Sequence, residues 1–239
     1  MSLLRKIIVL AILVFCFSHS APGQRRVSAD VEVKQVFKGR VSTIVKSVYC
    51  ANNGRLVIAF REPEQYFVVA NAKGESKMYM PQSNEVFVNN EGLVNSSDEL
   101  IYIFMSGRSS DLGVSRQGYR LSATERDGEY IRKIFVSDSN GNVPRVIIAF
   151  KNFLPVYCEY QDNKGAALGK TYFSNYLYNS RLTLPTRVTN ITYSGEKRDS
   201  SITRTIYSNL RIDEDDPNFD FEIPADAKVS KLPLPGSKK

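Results

Sequence analysis

From Cys50 to Gly169 the chain is cut at short, regular intervals by turn signals: Asn52-Asn53-Gly54, Ala72-Lys73-Gly74, Asn89-Asn90-Glu91-Gly92, Arg126-Asp127-Gly128, Asn140-Gly141 and Asn163-Lys164-Gly165. The runs between them, Arg55 to Phe60, Tyr66 to Ala70, Tyr130 to Val136, Val143 to Phe150 and Val156 to Tyr160, are rich in β-branched and aromatic residues. Short strands joined by hairpin chemistry make an antiparallel meander, because a parallel pair needs a crossover of roughly a dozen residues. Further strands are expected over Leu182 to Tyr193 and Ser201 to Ile212, after a tyrosine-rich stretch from Tyr172 to Tyr178.

One segment reads as helix. Ser96-Ser97-Asp98 offers capping side chains, Leu100, Ile101, Phe104 and Met105 follow at helical spacing, and Gly107 ends the run before a polar loop from Arg108 to Gln117. A lone amphipathic helix inside a meander must lay its apolar side on the sheet. The strand Arg55 to Phe60 is apolar on both sides, with Leu56, Ile58 and Phe60 on one and Val57 and Ala59 on the other. A flat sheet with one helix cannot cover both, so the sheet is expected to curve and enclose a concave apolar face, filled by side chains or by a ligand.

The N-terminus carries Arg5 and Lys6, an apolar run from Ile7 to Phe17 and the small-residue stretch Ser18-His19-Ser20-Ala21, which reads as a secretory signal over residues 1–20 cleaved after Ser20. The run is short for a membrane span, and bulky Phe15 before Cys16 is against a lipid-modified cysteine. Residues 21–229 are expected to form one domain, and 230–239, with Leu232-Pro233-Leu234-Pro235, a loose tail. Cleavage removes His19, the sole histidine, so histidine-dependent nucleophile systems and most zinc sites are excluded from the mature chain. Its basic residues are scattered, and with the export signal this disfavours nucleic acid as a partner. Cys50 and Cys158 would meet an oxidising compartment, either as a disulfide or as two buried thiols.

Two constellations could carry chemistry. The acidic cluster Asp213-Glu214-Asp215-Asp216 invites calcium but lacks the glycine and the distant glutamate of a calcium loop, so it reads as a solvated turn and no metal is expected. Glu62 and Glu64 are a candidate acid/base pair for a secreted carboxylate-dependent enzyme, although the surrounding residues look like a polar corner between strands.

Three stretches carry a resemblance to a family. Gly54 to Pro63 followed by Tyr66 is similar to a glycine, apolar strand, Arg-Pro corner and aromatic strand; Tyr79-Met80-Pro81 with Glu85-Val86 is similar to a strand end and turn; Asn218 to Val229 is similar to a closing strand of alternating phenylalanines followed by proline. In that order and spacing the chain resembles the periplasmic lipoprotein carriers of the LolA type, with LolB and RseB as more distant relatives. The resemblance implies an unclosed antiparallel β-barrel, mainly β with some helix, and a short helical lid over a hydrophobic cavity that takes acyl chains of lipoproteins or other lipids. It implies a cavity lined by Leu56, Ile58, Phe60, Tyr66, Val68 and Tyr79, with Phe67 adding to the aromatic lining in a chain without tryptophan. Leu100, Ile101, Phe104 and Met105 would form the lid, and Arg61 would stand for the arginine that holds it closed, although Glu62 separates Arg61 from Pro63. The family's N-terminal lid helix has no counterpart, since Pro22 and Gly23 lead straight into a strand from Val31 to Phe37. The expected protein is a periplasmic monomer without cofactor or catalytic activity, working between an inner-membrane release complex and an outer-membrane acceptor. The alternative is an RseB-like sensor or adaptor that binds a partner without transport.

Overall fold

The structure, a computed structural model, describes residues 25–89, 96–137, 143–195 and 199–230. The expected signal at 1–20, the expected turns at Asn90-Glu91-Gly92 and Asn140-Gly141 and the expected tail from Lys231 therefore lie outside the described residues. Fourteen strands form one sheet. They are β1 (Arg26–Phe37), β2 (Arg40–Ala51), β3 (Leu56–Glu62), β4 (Tyr66–Ala70), β5 (Ser76–Met80), β6 (Glu85–Asn89), β7 (Tyr119–Asp127), β8 (Tyr130–Ser137), β9 (Arg145–Lys151), β10 (Leu154–Gln161), β11 (Ala167–Tyr178), β12 (Thr183–Ser194), β13 (Asp199–Ile212) and β14 (Lys228–Ser230). The spatial order is β14-β6-β5-β4-β3-β2-β1-β13-β12-β11-β10-β9-β8-β7, so the fold is mainly β and the sheet is unclosed, ending among the described residues at β14 and β7. Neighbours run antiparallel except β14, which lies parallel to β6.

The expected hairpins form where the sequence places glycine at a turn. Gly54, between β2 and β3, has φ +87°, and a Cβ there would stand 2.7 Å from that of Ala72, so both backbone and space demand glycine. The first strand starts earlier than expected, at Arg26, and places its alternating Val27, Ala29 and Val31 in the core.

Strand pairing sorts side chains into two faces, because directly opposed residues share a face. Val27 pairs with Cys50, Cys50 with Leu56 and Leu56 with Ala70, and this inner row continues through Val48, Ile58 and Val68. On the other half it holds Ile148, Cys158, Thr171, Asn190 and Tyr207. One core cluster joins Leu56 on β3 to Ile148 on β9 through the helix α1 (Leu100–Met105). Seven strand steps separate them, about 34 Å if flat, whereas a helix with its side chains is about 10–12 Å across. The sheet must therefore wrap around α1.

The outer face of β2–β5 has a separate apolar cluster of Tyr49, Val57 and Phe219, with Ala59, Phe67, Val69 and Phe221 packed against it. Here the sequence expectation needs a correction. The second apolar side of β3 is covered by the chain's own C-terminal segment, a 3₁₀ turn at Pro217–Asp220 followed by Phe221. Phe221 stacks on Phe67 at 4.2 Å and Phe219 meets Tyr49 edge-on at 5.5 Å. Arg55 clamps the segment by donating to the carbonyls of Phe219 at 2.9 Å and Phe221 at 2.5 Å.

Candidate functional site

The inner face of the sheet is roofed by residues 96–118, a succession of 3₁₀ turns around α1. Local sequence does little to hold this cover in helical form. α1 is short, Glu99 at its N-cap makes no side-chain capping bond, and no acid lies in its first turn. The serines and aspartate expected to cap it form their own 3₁₀ turn at Ser96–Asp98 instead. A helix this short is marginal alone, so its place depends on burying Ile101, Ile103, Phe104 and Met105. Val114, further along, is also fully buried.

Side-chain contacts attach the cover. Arg116 donates to Ser97 Oγ at 2.8 Å and so ties the two ends of the segment together. Lys133 on β8 donates to the Ser110 carbonyl at 3.0 Å. Tyr207 on β13 is buried, and both desolvation and its hydrogen bond to Glu99 push its pKa well above the usual phenol value, so it stays a neutral hydroxyl. Among the described residues no backbone hydrogen bond joins cover to sheet.

Between cover and sheet lies a cavity of about 290 Å³. Leu100, Ile103 and Leu112 form its roof, and Cys158, Phe173, Val188 and Tyr207 form the apolar part of its floor. Glu99, Gln117, Thr171, Asn190 and Thr205 make it polar on one side, and Thr171 Oγ1 donates to Asn190 Oδ1 at 2.8 Å. The cavity therefore suits an amphiphilic or single-chain ligand and lies near the lower end of ligand-pocket volumes, about 300–1,000 Å³.

The cavity sits on β10–β13, away from the strands where the sequence places it. Leu56, Ile58 and Val68 do face inward, but they are buried at 0%, 4% and 4% exposure in the same core as α1. Phe60 and Tyr66 stack at 4.1 Å on the inner face, half-buried. Tyr79 is on the opposite face: it pairs with Phe67, lies 6.3 Å from the Phe221 ring and donates to Asn84 Oδ1. Phe67 is also on that outer face. Of the four lid residues, Leu100 lines the cavity, while Ile101, Phe104 and Met105 fill the core.

Arg61 reaches Asp30 Oδ1 at 2.9 Å rather than the cover. Asp30 also accepts from Asn209 at 2.9 Å and Ser47 at 2.7 Å. The Asn209 hydrogen bond, with those of Ser47 and Arg61, holds its carboxyl below the usual value against the opposing effect of burial. A carboxyl whose folded pKa is depressed contributes stability above its unfolded value, near 4, and loses that contribution as the pH falls through the folded value. Asp30→Asn should therefore weaken the protein at neutral pH, by an amount that shrinks toward zero in urea titrations carried from about pH 7 to about pH 3. A gap that stays constant with pH would show that the carboxylate charge is not what matters there.

Cys50 and Cys158 are both buried free thiols rather than a bridge. Burial pushes the Cys158 thiol up to about 12 and Cys50 higher still, so neither is a nucleophile at neutral pH. Glu62 and Glu64 are both exposed at the β3–β4 corner. In the acidic cluster Asp213 pairs with Arg181 and Asp216 with Arg211, each at 3.2 Å. Among the described residues no three metal-ligating side chains converge, and no helix is long and apolar enough to cross a membrane.

Sequence reasoning missed Ile103, Leu112 and the floor residues Phe173, Val188 and Tyr207. Their strands alternate apolar with polar residues such as Thr171, Asn190 and Thr205, so they carry no excess of hydrophobicity that would mark a binding face.

No family model and no curated protein matches the chain. Solved structures do resemble it. A LolA superfamily protein from Nitrosomonas europaea aligns with a TM-score of 0.55 at 13% identity, over 84% of this chain and 91% of that one. A DUF1329 family protein from Desulfovibrio piger aligns at 0.54 and 18%, over 83% and 90%. A domain described as an outer membrane lipoprotein-sorting protein, from Vibrio parahaemolyticus, aligns at 0.54 and 14%, over 88% and 95%. The chain has a LolA-like fold.

Proposed function

We propose that this chain is an exported, periplasmic carrier that shelters acyl chains of lipoproteins or related lipids beneath residues 96–118. The observation that carries the reading is the construction of the inner face, an apolar surface spanning most of a sheet and roofed by one segment that no backbone hydrogen bond among the described residues joins to the sheet and that leaves a cavity of about 290 Å³. The LolA-like fold and the lipoprotein-sorting description of a similar domain support it.

The cavity as it stands takes one short chain, so a larger load requires the cover to move. Lifting α1 withdraws Ile101, Phe104 and Met105 from the face of Leu56, Ile58 and Val68, and an acyl chain takes their place. Each methylene buried contributes about 0.8 kcal/mol, so apolar cargo replaces apolar cover at small net cost. A site that works near energetic balance can both load and unload. The work is sheltering, for which no catalytic group is needed.

Mass spectrometry of the protein purified from the envelope, together with titration by a fluorescent acyl lipopeptide, tests the reading. Leu100→Trp, which fills the cavity from its roof, should lower acyl affinity at least tenfold, since even one misplaced methylene in a packed site is felt. A wild-type protein that comes out empty and takes up neither lipopeptide nor fatty acid would sink the proposal.

A further inference from the structure

The β9–β10 hairpin is closed by Asn152 and Phe153, both left-handed, at φ +50° and +64°. Such two-residue turns favour glycine at the second position, and a bulky side chain there is a backbone outlier. Phe153 is nevertheless 89% exposed, so nothing it packs against explains the strain. Outliers of this kind mark places where the backbone is held for a purpose other than packing.

Phe153 does not stand alone. Antiparallel pairing brings the tips of β7–β8, β9–β10 and β11–β12 to the same end of the sheet. The neighbouring tips carry Tyr130 and Ile131 on one side and Leu177 and Tyr178 on the other, all exposed, Tyr178 at 73%. Hairpins in such a sheet recur about every 10 Å, so these residues form a line about 20 Å long. Three of the nearby cations are paired, Lys151 with Glu129 at 2.7 Å, Arg132 with Glu125 at 3.4 Å and Arg181 with Asp213 at 3.2 Å, while Arg126 at the β7–β8 tip donates to the Gly128 carbonyl.

We propose that this rim docks on a lipid bilayer, with Phe153 inserted among the acyl chains and Tyr130 and Tyr178 at the headgroup level. Separate protruding side chains suit a fluid surface, which needs no complementary pocket, and tyrosines flanking an apolar point are the composition of a membrane interface. With most of its cations paired, the rim should bind neutral and mildly anionic vesicles alike, with little dependence on salt. The rim also connects to the cover. Tyr178 lies 6.3 Å from Tyr176, whose ring is 6.3 Å from Phe104 of α1 and whose hydroxyl donates to the Pro155 carbonyl in the Phe153 hairpin.

The test compares the full chain with Phe153→Gly and Phe153→Trp by sedimentation with phosphatidylcholine vesicles containing a minor share of phosphatidylglycerol. Glycine should lower partitioning at least tenfold, because the loss of one buried phenyl group is worth that much. The same change should raise the melting temperature by about 2–4 °C, because glycine relaxes the left-handed turn. The chain has no tryptophan, so Phe153→Trp reports from the tip alone and should blue-shift on vesicles and be quenched by brominated lipids. Unchanged partitioning of Phe153→Gly, or tryptophan emission indifferent to vesicles, overturns the proposal. So does a lowered melting temperature, which would make Phe153 a packing residue, or a wild-type dimer abolished by glycine, which would make a second copy the occupant.

Discussion

Ile101→Asp should unroof the inner face while leaving the sheet standing. Ile101 is fully buried on α1 in the core that includes Leu56 and Ile148, and an unpaired carboxylate there costs about 3–5 kcal/mol. The cover can escape that cost by leaving, because among the described residues side-chain contacts such as those of Lys133 and Tyr207, and no backbone hydrogen bond, hold it to the sheet. Amide exchange over residues 100–106 should then rise toward that of an unstructured segment, an apolar dye should bind, and the far-ultraviolet β signal should persist. Cooperative loss of that signal with the helix would mean that the cover is part of the sheet's own stability. It could not then act as a moving part.

Phe219→Ala should destabilise the whole sheet by about 3–5 kcal/mol, the usual range for truncating a buried phenylalanine. Phe219 is 3% exposed, edge-on to Tyr49, with the Arg26 guanidinium 5.4 Å above its ring. Its loss also loosens the carbonyls that Arg55 grips and the stack of Phe221 on Phe67. Urea denaturation should show a lower midpoint with an unchanged slope, because the variant still unfolds as one unit. A midpoint within experimental error of wild type would make the C-terminal segment an ornament on the outer face. The two variants separate the two faces: the first loosens the cover, the second loosens the sheet.

The architecture was legible because it is written locally. Gly54, Gly74 and Gly165 sit at turns between apolar runs, and hairpin chemistry leaves few alternatives to a meander. The two-sided character of β3 was legible too, but its cause was not, because Phe219 and Phe221 reach Val57 and Phe67 from the far end of the chain. The face of Tyr79 depends on register. Met78 and Tyr79 are both apolar, and it is the pairing of Val68 with Met78 that sends Tyr79 outward. Arg61 was read beside the corner proline, whereas its partner Asp30 is two strands away across β2 and already holds Asn209 and Ser47. The cavity was missed because no single strand announces it. It is assembled from one or two residues on each of four strands, with the roof supplied by Leu112 and by a helix whose N-terminal side-chain cap does not form.

The strand order has a further consequence for assembly in time. β1–β6 and β7–β13 are hairpin meanders that can each form from neighbouring residues, but they join at a seam between β1 and β13 where Val27 meets Ile212 and Phe37 meets Ser201. Until synthesis passes Ile212, the outer rail of β1 has no mate, and it is a long edge of the kind that recruits foreign strands. Closing so distant a contact is slow. If the chain is exported before it folds, as proposed above, both meanders become available together and the seam can zip before that edge meets a stranger.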